Sequence, residues 1–347
     1  MTKIDDVAQL AGVSTATVSR ALRGLPTVSE TTRKRVLEAA AQLGYTASPS
    51  ASRLAGGKTR AVAVVVPRIT RWFFSTVVES AEDALHQAGY DLLLYNLGGR
   101  EHARQRLLHT ANLHKRVDAV MLVATPLQAA DFATVTDLAL PGVTVSSGTH
   151  VPGWPSIRID DVAAARTATR HLLDLGHRRI AHICGDGADE LAFTTHLDRR
   201  RGYLEALRDA GVTPDPRLDA EAEFTISGGG RAMIELLRRG TPPTAVFAAS
   251  DEMAMGAMGA LRQAGLRVPQ DISVIGIDDH DLAGVVGLST VAQPAAEQGR
   301  LAALTLLRPL GHADRDDGGA DSVILPTSLV VRESTGPPRE SERAARH

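Results

Sequence analysis

The chain has 347 residues, 44% of them apolar, 22% charged and only 3% aromatic, with a formal charge of −2. That length exceeds one ordinary domain and allows a large core, so two or three domains are expected. A single cysteine (Cys184) excludes an intramolecular disulfide and no apolar run reaches the ~18 residues of a helical membrane span, so no membrane is expected as partner and a reducing, cytoplasmic, nucleoid-associated location is.

Charge is unevenly spread. Residues 1–60 carry nine Lys or Arg against four Asp or Glu, a balance of +5 that leaves −7 for the rest. A basic head on an acidic body points to a polyanionic partner for the head alone. Asp5 and Asp6 interrupt the stretch a signal peptide keeps apolar, so export is not expected.

Thr2 and Asp5 are spaced as a capping box for a first helix to about Ala11, with Ile4, Val7, Ala8 and Leu10 or Ala11 inward. Gly12 sits where a tight turn needs a positive φ. Ser14 is the expected cap of a second helix whose inward residues are Val18, Ala21 and Leu22. Two short helices about a glycine turn make a helix-turn-helix. Ser29 is placed to cap a third helix through Leu43, closed by Gly44.

The outward face of the second helix is Thr15, Ala16, Ser19, Arg20 and Arg23. Short residues at its start allow close approach to base edges, and Arg20 can reach guanine O6 and N7 with both fork donors. The hydroxyls of Thr17 and Ser19 suit phosphate oxygens, and Ser29 is counted with the DNA contacts. In "SPSASRLAGG" (48–57), Ser48 can cap a short helix with Pro49 at its first position and glycines closing it. About eight residues are marginal as an isolated helix, so this one is expected to form only with partner and DNA present. Leu54 is its expected minor-groove wedge. "GGKT" (56–59) imitates the end of a phosphate-binding loop, but the required first glycine would stand at Ser52 and the strand follows instead of preceding.

From Ala61 apolar runs alternate with amphipathic helices such as 74–88 and 101–115: "AVAVVVP" (61–67), "YDLLLYN" (90–96), "DAVMLVA" (118–124), "GVTVSS" (142–147), "RIAHICG" (179–185), "TAVFAAS" (244–250) and "DISVIGID" (271–278). Such runs predict parallel sheets covered on both faces, here two similar α/β lobes with a break near 160. Ligands of such folds bind at strand C-terminal ends, here between the lobes. Arg71, Trp72 and Phe73 follow the first run, and Asp160, Phe224, Ser250 and Asp251 stand at similar strand ends. Helix 295–310 and a strand in "SVILPTSLVVRES" complete the body. No catalytic set is readable. His171, His177 and His182 lack metal-ligand spacing, "DDHD" (278–281) reads better as a polar loop than as a metal site, and "SGGG" (227–230) opens a helix without dinucleotide-binding spacing. No enzyme activity, cofactor or metal is expected.

"IDDVAQLAGVSTATVSRALRG", "VSETTRKRVLEAAAQLGY" and the chain to residue 67 resemble the start of the LacI/GalR (lac repressor) family of transcription factors. Residues 61–335, ending in "LPTSLVVRES", resemble its effector-binding core, itself similar to periplasmic sugar-binding proteins. The resemblance implies a small all-α helix-turn-helix head at 1–46, a hinge helix and linker at 47–60, and a two-lobed core at 61–335. Within that core the lobes would be about 61–160 and 161–290, with the chain crossing back near 290–335 and a disordered tail at 336–347. It also implies that Thr15, Ala16 and Arg20 read the major groove, and that a homodimer or higher assembly binds a pseudopalindromic operator where two Leu54 wedges meet at a central CG step. The effector implied is a sugar, with a nucleoside as alternative, and either induction or corepression fits. Arg199 matches the family's effector-binding arginine and Asp278 its acidic ligand contact. The family commonly has Asn-Pro before its two aromatics; Arg71-Trp72 stands here, which weakens transfer of ligand identity. A sugar-binding protein without a DNA role is the less favoured alternative.

Overall fold

The computed structural model describes residues 2–22, 24–45, 59–98, 113, 116–125, 127, 131, 135, 137, 139–148, 150–185, 194–240, 242–312 and 322–339. Arg23, the expected hinge helix with Leu54, and most of the helix expected at 101–115 lie outside the described residues. The chain divides into two compact units, Met1–Arg60 with Lys115–Asp118, and Ala61–His114 with Ala119–His347.

The first unit holds α1 (Ile4–Ala11), α2 (Thr15–Leu22) and α3 (Glu30–Gln42). Val7, Ala8, Ala11, Val18, Ala21, Val28, Val36, Ala39 and Ala40 form its core, and these small side chains let the helices approach closely. Leu10 is 48% exposed, so Ala11 takes the inward place. The α1 cap falls one residue later than the Thr2–Asp5 spacing predicts. Asp6 accepts from the Lys3 N–H at 2.7 Å, while the Thr2 hydroxyl donates to the Leu43 carbonyl at 3.1 Å. Thr2 thus fastens the start of α1 to the end of α3. Gly12 has φ +64°, and Ser14 and Ser29 accept from the N–H groups of Thr17 and Thr32 as expected.

The second unit contains two six-stranded sheets. The first has the order β11-β5-β4-β3-β1-β2, from β1 (Ala61–Val66), β2 (Asp91–Asn96), β3 (Ala119–Val123), β4 (Gly142–Val145), β5 (Ser156–Ile159) and β11 (Ser322–Leu325), all parallel. The second has the order β12-β10-β9-β8-β6-β7, from β6 (Ile180–Gly185), β7 (Asp219–Ala222), β8 (Ala245–Ala248), β9 (Ser273–Asp278), β10 (Ser289–Ala292) and β12 (Ser328–Val330), with β12 antiparallel to β10. The chain therefore passes between lobes three times: after β5, after β10, and between β11 and β12.

Helices cover the sheets. On the first lobe, α4 (Trp72–Gln87) and α9 (Ala295–Leu307) bury Val77, Ala81, Leu85, Ala302, Ala303 and Leu306 against β1, β3 and β4. On the second, α5 (Asp161–Asp174) and α6 (Thr195–Asp209) cover one face while α7 (Ile226–Arg238) and α8 (Asp251–Gln263) cover the other. The glycine run that opens α7 is a packing device. A Cβ on Gly229 would lie 2.1 Å from the Met253 carbonyl oxygen, and one on Gly256 would lie 1.9 Å from that of Ile226. Residues 336–339 are not the loose end the sequence predicts: Gly336 N–H donates to the Ser273 hydroxyl at 3.0 Å and its carbonyl accepts from His177 at 2.8 Å. Among the described residues no helix is long and apolar enough to cross a membrane.

Candidate DNA-reading helix and effector cleft

In α2, Val18 and Ala21 are buried, which turns Thr15, Ala16 and Arg20 to solvent one helical turn apart. Arg20 makes no side-chain hydrogen bond or ion pair among the described residues, and α2 contains no acid to neutralise it. Thr17 and Ser19 are half-buried beside them, and the Thr17 hydroxyl lies 2.9 Å from that of Ser14. Ser29 is exposed, but its hydroxyl is engaged with Thr32 at the start of α3.

In the second unit, non-glycine residues with positive φ gather at strand C-terminal ends: Ala124 after β3, Ser146 after β4, Phe224 after β7, and Asp278 with Asp279 at the end of β9. Each such conformation costs on the order of 1–3 kcal/mol, and its concentration at these ends marks a site that the surrounding structure holds in shape. A buried polar chain runs through the same place. Arg199 on α6 is 4% exposed; its Nε donates to Asp161 at 2.8 Å, one terminal nitrogen donates to the Ala249 carbonyl, and Asp278 lies 3.9 Å away. Asp278 accepts from Gln293 at 2.6 Å, Gln293 accepts from Gln298 at 3.0 Å, and Gln298 accepts from Ser146 at 2.7 Å. Ser146 belongs to the first lobe and Arg199 to the second, so the chain links the two lobes through α9.

Burial sets the charge states. Asp278 and Asp251 are both pushed above the usual carboxylate range by desolvation; Arg199 opposes the shift at Asp278, and Asp278 itself adds to that at Asp251. Asp251 accepts from the Thr290 hydroxyl at 2.7 Å and the His280 N–H at 2.9 Å. At the cleft mouth Arg71 approaches Glu252 at 3.8 Å, and the Trp72 and His280 rings lie 5.2 Å apart. Burial raises Glu252 to about 7 against the pull of Arg71. The Nε of Arg71 and Nε1 of Trp72 are buried donors without a partner, which leaves two polar groups for a ligand to satisfy.

The structure therefore brings Arg71, Trp72, Arg199, Ser250, Asp251 and Asp278 to one place, with the Ser250 hydroxyl capping α8 through the Met253 N–H. Phe73 packs edge-on to Phe74 against the first lobe's core, and the Phe224 ring covers Gly185. Asp160 is exposed and caps α5 through the Ala163 N–H; its neighbour Asp161 is the carboxylate that meets Arg199. Arg200 and Arg201 pair outward with Asp219 and Asp198. His182 is stacked between Tyr203 and Phe247, and burial lowers it to about 4, so it is a neutral core residue.

Residues 3–48 match the profile of bacterial regulatory proteins of the lacI family, and residues 169–335 match the periplasmic binding protein-like domain. The HTH-type transcriptional repressor CytR of Escherichia coli (strain K12) is 36% identical over 337 residues, 95% of either chain. The chain belongs to the lacI family of bacterial regulatory proteins. It is a DNA-binding transcriptional repressor under effector control, with the head and two-lobed body described above. Among solved structures, the lac repressor dimer bound to operator and the anti-inducer ONPF superposes with TM-score 0.81 at 29% identity, over 96% of this chain and 99% of that one. A CelR–cellobiose complex superposes with TM-score 0.69 at 33% identity, over 96% and 100%. These lacI-family relatives are transcriptional regulators.

Local spacing missed Asp161, Glu252, Gln293 and Gln298. One signal was present: Gln298 stands on the buried face of α9 among Ala295, Ala302 and Leu306, where an uncharged polar residue needs a partner.

Proposed function

We propose that two copies of the chain bind a pseudopalindromic operator, each head placing Thr15, Ala16 and Arg20 against base edges of one half-site. Two-fold symmetry in the protein calls for two-fold symmetry in the DNA. Leu54 of each copy serves as the minor-groove wedge between the heads. The relation to the lac repressor dimer on its operator supports this assembly. So does an apolar patch on the second lobe, where Leu282, Val285 and Val286 are 47%, 80% and 42% exposed.

The effector is a sugar held between the lobes of each body. The observation that carries this reading is Arg199, buried between Asp161 and Asp278. A guanidinium and a carboxylate facing one cleft hold vicinal hydroxyls by charge-assisted hydrogen bonds. The similar CelR structure with cellobiose supports the ligand class. Calorimetry of the full chain with ribose, cellobiose and a panel of nucleosides tests it. A sugar should bind the native chain and bind Asp278→Asn about tenfold or more weakly, the cost of one hydrogen bond to a charged group. Binding of nucleosides alone would transfer the cleft to that class.

A further inference from the structure

A second cavity, of about 360 Å³, opens on the β5–β11 side of the body, where the lobes adjoin. Its size lies within the range of roughly 300–1,000 Å³ common to small-molecule sites. Ser156 and Arg158 of β5 and Ser322 of β11 face it from the first lobe; Thr194, Thr195 and Arg201 face it from the start of α6. None of Arg71, Trp72, Arg199, Ser250, Asp251 or Asp278 lines it.

Its chemistry is uncommitted. The hydroxyls of Ser156, Thr194, Thr195 and Ser322 make no side-chain hydrogen bond among the described residues. Strand alternation buries Ile157 and Ile159 and turns Arg158 to the opposite face. Of its five N–H donors, one is used, on the Ile159 carbonyl at 3.2 Å. No carboxylate lies within 4.0 Å of it among the described residues, and Asp161, the acid in the same wall, already accepts from Arg199 at 2.8 Å. A spare guanidinium among spare hydroxyls fits a polyol that bears a negative group. Gly148 permits the enclosure, since a Cβ there would lie 1.5 Å from the Thr194 hydroxyl.

We propose that this side cavity is a second small-molecule site, separate from the cleft, for a hexose-sized sugar carrying one anionic group, phosphate or carboxylate, with Arg158 holding the anion. Asp161 belongs to its wall and also holds Arg199, so a ligand here bears on the arginine of the cleft. Coupling of that kind is reciprocal: whatever one ligand does to the affinity of the other is returned in equal measure.

Calorimetry on the full-length chain tests the site, with glucose 6-phosphate, glucuronate, glucose and inorganic phosphate as probes. At least one anionic sugar should bind more tightly than glucose or phosphate, glucose 6-phosphate and glucuronate separating the two kinds of anion. Arg158→Gln should weaken that binding roughly tenfold to a hundredfold, the loss for a hydrogen bond to a charged group. Asp278→Asn, in the cleft, should change it by a much smaller factor. Arg201→Gln, on the exposed surface of α6, should weaken binding as well and keeps the test valid if Arg158→Gln fails to fold. The proposal falls if no anionic sugar binds up to about 10 mM, a free energy of only some −3 kcal/mol. It also falls if glucose binds equally well, if neither arginine variant loses affinity, or if the loss appears in Asp278→Asn alone.

Discussion

Arg20 stands exposed on α2, with neither a protein partner nor an acid in its helix, and that is the condition for an arginine that reads a base. Arg20→Ala should cost about 1–3 kcal/mol at the cognate operator and far less on random DNA of equal length, measured by fluorescence anisotropy at fixed salt. Equal losses on both would reassign it to phosphate contact. Glu252 makes a different prediction. Its carboxyl lies near 7 in the folded chain because it is buried, and near 4.3 when unfolded. Between those values the folded state keeps a proton that the unfolded chain has released, so stability falls as pH rises through the window. The melting temperature of the native chain should therefore drop more steeply from pH 5 to 8 than that of Glu252→Gln; superimposable profiles would remove Glu252 as the cause. At this scale the family motifs exposed Arg199 and Asp278, while the partners of that pair stayed hidden. Ser146 and Gln298 are 152 positions apart, and no local spacing encodes their contact.

At the scale of elements, period and punctuation carried most of the reading. The caps at Ser14 and Ser29 and the turn at Gly12 stand where hydroxyl and glycine chemistry puts them. All seven apolar runs are strands, since β-branched residues buried on both faces suit a parallel sheet. The strands that escaped notice are short and mixed. β7 is "DAEA" at a sheet edge, where backbone pairing with β6 makes a strand from residues of poor β propensity. The "SGGG" run shows how one composition serves unrelated ends: its glycines admit α8 rather than an anion. Gly229→Ala should accordingly lower body stability by about 1–3 kcal/mol, because the new methyl meets backbone and forces the helices apart, outweighing a helix-propensity gain of up to about 1 kcal/mol. Gly259→Ala on α8 meets nothing within 4 Å and should be neutral or stabilising. Urea titration of both variants decides the matter: equal midpoints would deny the close approach.

For the whole molecule, the charge division between a basic head and an acidic body was the earliest sign of a DNA partner, and it required no motif. The two-lobed plan was legible from the two groups of strands; the three crossings were less so, because each occupies only a few residues. Dimerisation belongs to this scale. Val285→Arg places a charge in the most exposed part of the apolar patch, and sedimentation should show a shift toward monomer with operator affinity falling in step. An unchanged dimer would move the interface elsewhere. Repression under ligand control is tested most directly by selecting bound fragments from sheared genomic DNA of the encoding organism, with and without a mixture of sugars and nucleosides. The expected outcome is a palindrome centred on a CG step whose recovery changes when the mixture is added, beside genes that act on the ligand. Failure to recover any motif in either condition would contradict the DNA-reading role of the head.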